Sequence, residues 1–100
     1  MAKTVSILIG NSDDKLPQNQ WSVFCGDTNR MVESYSRRIH FNGHSIPTKP
    51  WQNACWVFAV QEEDLNDLRA SLRDLAKHYR QDQIALVIGE TEFISTPKGG

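Results

Sequence analysis

One hundred residues make a single domain, large enough for one hydrophobic core. With 39% hydrophobic and 23% charged residues, the composition is that of an ordinary globular protein and excludes a disordered chain. A net charge of −1 gives no global attraction to nucleic acid or to an anionic membrane, so any such binding needs a local patch.

Along the chain, residues 4–9 alternate Val5, Ile7 and Ile9 with Thr4, Ser6 and Leu8, the period of a β-strand, and Gly10 stops it. This N-terminal apolar run is too short for a signal peptide or a membrane span. Residues 10–16 are polar and read as a loop, and Pro17 suits the opening of a helix, where its fixed φ helps. Trp21, Phe24, Thr28, Met31, Val32 and Tyr35 then recur at three- and four-residue steps, which predicts one face of a helix running to about residue 37. Gly26 inside it costs about 1 kcal/mol relative to alanine.

Residues 39–45 predict a short second strand, polar on one side at His40 and Asn42, with Asn42-Gly43 competing as a tight turn. Pro47 and Pro50 keep residues 46–53 out of a paired strand. Residues 54–60 (ACWVFAV) are apolar on both faces, the mark of a central strand. Glu62, Glu63 and Asp64 suit a helix start, and Leu65, Leu68, Leu72, Leu75 and Tyr79 form the cleanest amphipathic stripe in the chain. Residues 83–88 predict the last strand, which Gly89 bends before Glu92, Phe93 and Ile94. The domain then occupies 1–94, with 95–100 as a flexible tail.

Strand, helix, strand, strand, helix, strand predicts an α+β, ferredoxin-like βαββαβ sandwich: an antiparallel sheet of order 4-1-3-2 with both helices on one face. In that path residues 10–15, 50–53 and 79–83 meet at one edge, and loops on a rigid scaffold are the usual place for function. The second sheet face is left bare. Either Trp56 and Phe58, or Cys55, Val57 and Ala59, point away from the helices, and a bare apolar face marks a partner surface. A homodimer packed sheet on sheet or a covering from the tail around Phe93 would bury it.

The edge supplies the candidate chemistry. Asn11, Ser12, Asp13, Asp14 and Lys15 could position a polar ligand or a hydrated cation, or form a turn whose side chains bond local N–H groups. With one glycine and two acids the loop is a poor phosphate cradle. Trp51 flanked by Gln52 and Asn53 could stack on a planar ligand or anchor a protein, or fold over the sheet end as a core cap. Arg80 could meet a carboxylate or phosphate, or pair with Asp13 or Asp14, while Asp82 makes a turn. Arg69, Arg73, Lys77 and Arg80 share one side of the second helix, with Glu63, Asp67 and Asp74 on another. Such a helix could meet an acidic partner or an RNA backbone, or be a solvated surface.

His40 and His44, if both extended, lie about 13 Å apart at roughly 3.3 Å per residue, and no cysteine or His-Glu spacing suggests zinc. No nucleophile-elbow, Walker or dinucleotide pattern is present. Cys25 and Cys55 read as reduced, buried thiols of a cytoplasmic protein.

The segments IGNSDDKL (9–16), PWQNACW (50–56) and YRQD (79–82) resemble short proteins of bacteriophages and bacteria to which no activity attaches. The resemblance spans most of the chain. It implies a small phage or mobile-element accessory protein that acts by binding a host or defence component. The residues and the resemblance together predict a non-enzymatic binding protein without cofactor or metal. It engages a protein or small polar ligand through Asn11, Ser12, Asp13, Asp14, Lys15, Trp51, Gln52, Asn53, Arg80 and Asp82. Two alternatives are RNA binding through the second helix and a cofactor-independent enzyme or nucleotide-sequestering module of the dimeric α+β-barrel kind. In the latter, Trp56 or Phe58 would line a pocket between two sheets.

Overall fold

The computed structural model describes residues 1–11, 15–45 and 52–97. Strand β1 (Ala2–Gly10) leads to helix α1 (Gln18–Tyr35), then strands β2 (Arg38–His44) and β3 (Asn53–Gln61). A 3-10 turn (Glu62–Asp64), helix α2 (Leu65–His78) and strand β4 (Ala85–Gly89) follow. The fold is α+β, and the four strands form one antiparallel sheet of order β2-β3-β1-β4, the order expected from the sequence.

Period-two patterning decides which face is buried. Val5, Ile7 and Ile9 of β1 and Ala54, Trp56, Phe58 and Val60 of β3 all point into one core with the apolar stripes of both helices. Val5 lies opposite Phe58 and Ile7 opposite Trp56, so large side chains pair across the two central strands. From α1 come Trp21, Phe24 and Val32, and from α2 come Leu65, Leu68 and Leu72. The Trp56 indole N–H donates to Asn29 Oδ1 at 3.0 Å, which satisfies its one polar atom.

This settles the choice between the faces of β3: Cys55, Val57 and Ala59 turn away from the helices, and the two rings turn toward them. Trp56 and Phe58 are therefore core residues, and neither can line a pocket between two facing sheets. The bare face instead carries exposed Leu8, Phe41 and Val87, with half-buried Cys55 and Val57 between them. The two cysteines are free thiols, and both are half-buried rather than buried as expected.

Chain ends and turns have local causes. Pro17 sits just before α1, where its carbonyl accepts from Trp21 N–H at 2.9 Å. The helix ends at Tyr35, two residues earlier than the pattern predicts, because Ser36 is already extended. In β2 the expected turn at Asn42-Gly43 does not form. The strand runs through both residues, with a bulge at His40 between Ile39 and Phe41. The exposed Phe41 ring lies over Gly43, where a Cβ would come within 2.5 Å of Phe41 Cζ and push the ring aside. After β4 the chain runs back over the sheet. Glu90 pairs with Lys3 at 3.0 Å, the Thr91 and Thr4 hydroxyls bond, and the Phe93 ring sits 6.2 Å from His40. Phe93 stays 70% exposed, so this passage does not cover the apolar face.

Because the two faces of β3 differ, one substitution should have two outcomes along it. Val60→Ala opens the core and costs about 2 kcal/mol, whereas Val57→Ala on the bare face costs less than about 1 kcal/mol. Urea denaturation of the two variants measures the difference.

Candidate functional site

The loops at the C-terminal end of β1 are tied together by amides. Asn11 is 1% exposed, and its side chain bonds both backbone groups of Leu16: Leu16 N–H donates to Oδ1 at 3.0 Å and Nδ2 donates to Leu16 O at 2.9 Å. Buried backbone groups must be paired, and an amide offers donor and acceptor side by side. Nδ2 also donates to Gln52 Oε1 at 3.0 Å, and the Asn11 N–H donates to Gln52 O at 2.7 Å. Gln52 and Gln18 exchange two amide bonds, at 2.8 and 2.9 Å. One knot thus joins the β1–α1 loop, the first turn of α1 and the entrance to β3.

A second tie runs to the α2–β4 loop, where Lys15 Nζ meets Asp82 Oδ2 at 3.1 Å. Both groups are exposed, so this pair orients more than it stabilises. Asn53 opens β3 by exchanging bonds with Ser45: its N–H donates to Ser45 Oγ at 3.0 Å and its carbonyl accepts from Ser45 N–H at 2.8 Å.

Arg80 has the least ordinary backbone among the described residues: a φ of +55°, the left-handed region that glycine prefers. It follows the C-cap Tyr79, and two bonds close a Schellman motif around it. Arg80 N–H donates to Lys77 O at 3.2 Å and Gln81 N–H to Ala76 O at 2.8 Å. Arg80 lines an open cleft of about 490 Å³ between the start of α1 and the end of α2. Asn19, Gln20, Val23, His78 and Tyr79 line the rest of it. Pro17 gives α1 no side-chain cap, and the first turn of the helix carries no acid to offset the positive end of its dipole.

Tyr79 is the floor of the cleft. Its ring stacks on Phe24 with centroids 4.6 Å apart, His78 meets it edge-on at 4.8 Å, and its hydroxyl donates to Asp27. Burial, reinforced by the Asp27 carboxylate, pushes the phenol up to about 12. The Tyr79 hydrogen bond, helped by Arg30, holds Asp27 below its ordinary carboxylate value. Burial raises both thiols, Cys25 to about 11, so neither is a ready nucleophile at neutral pH. Among the described residues no three His, Cys, Asp or Glu side chains gather as a metal-binding group, and no helix is long and apolar enough to cross a membrane.

Of the residues expected to form the site, Asn11, Lys15, Gln52, Asn53, Arg80 and Asp82 are at this rim. Asn11 is a correction: its amide is buried and fully engaged, so it positions the loop and does not face a ligand. Arg80 is a second, since it lines the α1–α2 cleft and not the side of α2 that carries Arg69, Arg73 and Lys77. Ser12, Asp13, Asp14 and Trp51 lie outside the described residues, as do the proposed pairings of Arg80 with Asp13 or Asp14. Gln18, Asn19, Gln20 and His78 were not expected here. The run of three amides after Pro17 was the signal for the first three.

Comparison with protein-family models and with curated protein sequences gives no match to this chain.

The Asp27–Tyr79 bond makes a pH-dependent prediction. A carboxylate held below its unfolded value stabilises the fold above that value, and the contribution fades as pH falls through the folded one. Tyr79→Phe should cost about 1–2 kcal/mol at neutral pH, and the gap should close as pH drops below about 4. Denaturation midpoints across that range test it.

Proposed function

We propose that this chain is a small binding protein whose rim engages an acidic or carboxylate-bearing group on a partner protein or small polar ligand. The observation that carries the reading is Arg80. An arginine occupies a left-handed helix-cap position where glycine is free of strain, and it lines a cleft together with a histidine and two amides. Retaining strain at such a point is most economically explained by the side chain it presents. The amide knot and the Lys15–Asp82 pair support the same reading, because they hold three loops in one arrangement before any partner arrives.

In finer terms, the element and strand order fit a ferredoxin-like sandwich, and a second copy packed against Leu8, Phe41 and Val87 would cover the bare face. The likeness of the 9–16, 50–56 and 79–82 segments to phage and bacterial proteins suits an accessory factor of a phage or mobile element in the cytoplasm.

Arg80→Gly separates stability from function. The variant should gain about 1 kcal/mol, since glycine relieves the left-handed strain, yet lose its partner. Native mass spectrometry of both proteins purified from the host reports retained partner, bound metabolite and subunit number together. A partner or metabolite on the wild type that is missing from Arg80→Gly supports the reading. Equal retention by both, or none on the wild type, refutes it.

A further inference from the structure

A second surface, independent of the rim cleft, lies between α2 and β4. An open groove of about 460 Å³ runs there, with Leu72 and Ala76 of α2 and Leu86 of β4 as its apolar base. Arg69, Arg73 and Lys77 stand along its helical wall. Arg69 Nη1 donates to the neutral amide of Asn66 at 2.9 Å, and neither Arg73 nor Lys77 has an ion-pair partner among the described residues. The one acid lining the groove, Asp82, is already paired with Lys15. Asp74 faces the other way, lining a separate cleft with Asp27 and Ser71 on the α1 side. The helix therefore sorts its charges, cations toward β4 and acid toward α1, in a protein of net charge −1.

The groove opens onto an unfinished sheet edge. β4 pairs with β1 on one side, and among the described residues nothing pairs with its other side. The opposite edge strand, β2, is interrupted by its bulge, a device that discourages strand addition. β4 has none: its register with β1 is regular from Ala85 to Gly89, and the strand ALVIG carries no charge. Spacing completes the fit. Residues four apart on a helix rise about 6 Å, close to the about 6.6 Å between same-face residues of an extended chain. Successive carboxylates at alternate positions of a strand would therefore stay in step with Arg69, Arg73 and Lys77.

We propose that the α2–β4 groove binds an extended acidic segment of a partner protein, which adds as a fifth strand beside β4 and sets alternate carboxylates against Arg69, Arg73 and Lys77. Backbone pairing supplies an anchor that is indifferent to sequence, and the cation row selects for acid at every second residue. The β4 edge favours a polypeptide, whose N–H and C=O groups can pair with it, over a phosphate backbone, and the apolar base takes the methylene stems of the same acidic side chains.

The test uses the full chain and a fluorescein-labelled peptide alternating glutamate with valine, read by anisotropy and by amide spectra. Binding should weaken about tenfold or more in Arg73→Glu and change little in Arg37→Glu, a charge-matched reversal at an exposed site off the groove. Of the adjacent residues Val87 and Ile88, the one whose N–H faces away from β1 should shift and gain exchange protection when the peptide binds. The proposal fails if the peptide does not bind, if a lysine–valine peptide binds as well, or if the two reversals act alike. It also fails if the β4 amides are unmoved, or if oligouridylate occupies the groove in place of the peptide with the steep salt dependence of phosphate binding. The rim reading is unaffected by any of these results, because Arg80 takes no part in the groove.

Discussion

The arrangement of loops at the rim of this molecule hangs on the side-chain amide of Asn11. The chain must turn from β1 into α1 while burying Leu16, and burying Leu16 strips water from its N–H and C=O. Among the described residues no strand takes those groups. The Asn11 amide takes both, and its remaining proton and own N–H reach Gln52. Leaving a buried donor or acceptor unpaired costs about 1–3 kcal/mol each, so the loop cannot easily open. The clamp converts a connection between two elements into a fixed platform, and Gln52, Gln18, Lys15 and Asp82 extend it across the rim.

The rest of the surface follows from building only two layers. One sheet face is buried by the helices, and the other is left to solvent, to the returning chain or to a partner. The helices must turn an apolar stripe inward, and what remains outward is sorted by charge. Three different surfaces result: a cationic and amide-lined cleft at the rim, a basic groove along an edge strand, and an apolar sheet face. These three surfaces differ in chemistry.

Much of the fold was legible because periodicity is a direct record of burial. The strands, the helices, the strand order and the meeting of three loops follow from period two, period 3.6 and the path of the chain. The orientation of β3 was not legible, since both of its faces are apolar. Volume decided it: Trp56 and Phe58 fill the deep helix-covered side opposite Ile7 and Val5, and the smaller Cys55, Val57 and Ala59 take the open side. Asn11 read as a ligand contact because a polar residue in a polar loop is ordinarily exposed, and only the insertion of Leu16 draws it under. Arg80 hid its backbone state, because a left-handed cap is announced by glycine or asparagine and here is filled by arginine. Asn19 and Gln20 were passed over because their run of amides with Gln18 gains meaning only where another element ends beside it.

Native-state hydrogen exchange measured by NMR reaches the central claim most directly, because the platform is defined by particular N–H groups. Leu16 N–H on Asn11 Oδ1, Asn11 N–H on Gln52 O and Gln81 N–H on Ala76 O should all exchange far more slowly than open loop amides. They should approach the protection of the β1–β3 ladder. Exchange of Leu16 and Asn11 at the rate of an unstructured loop, in a protein whose sheet is otherwise protected, would contradict the account.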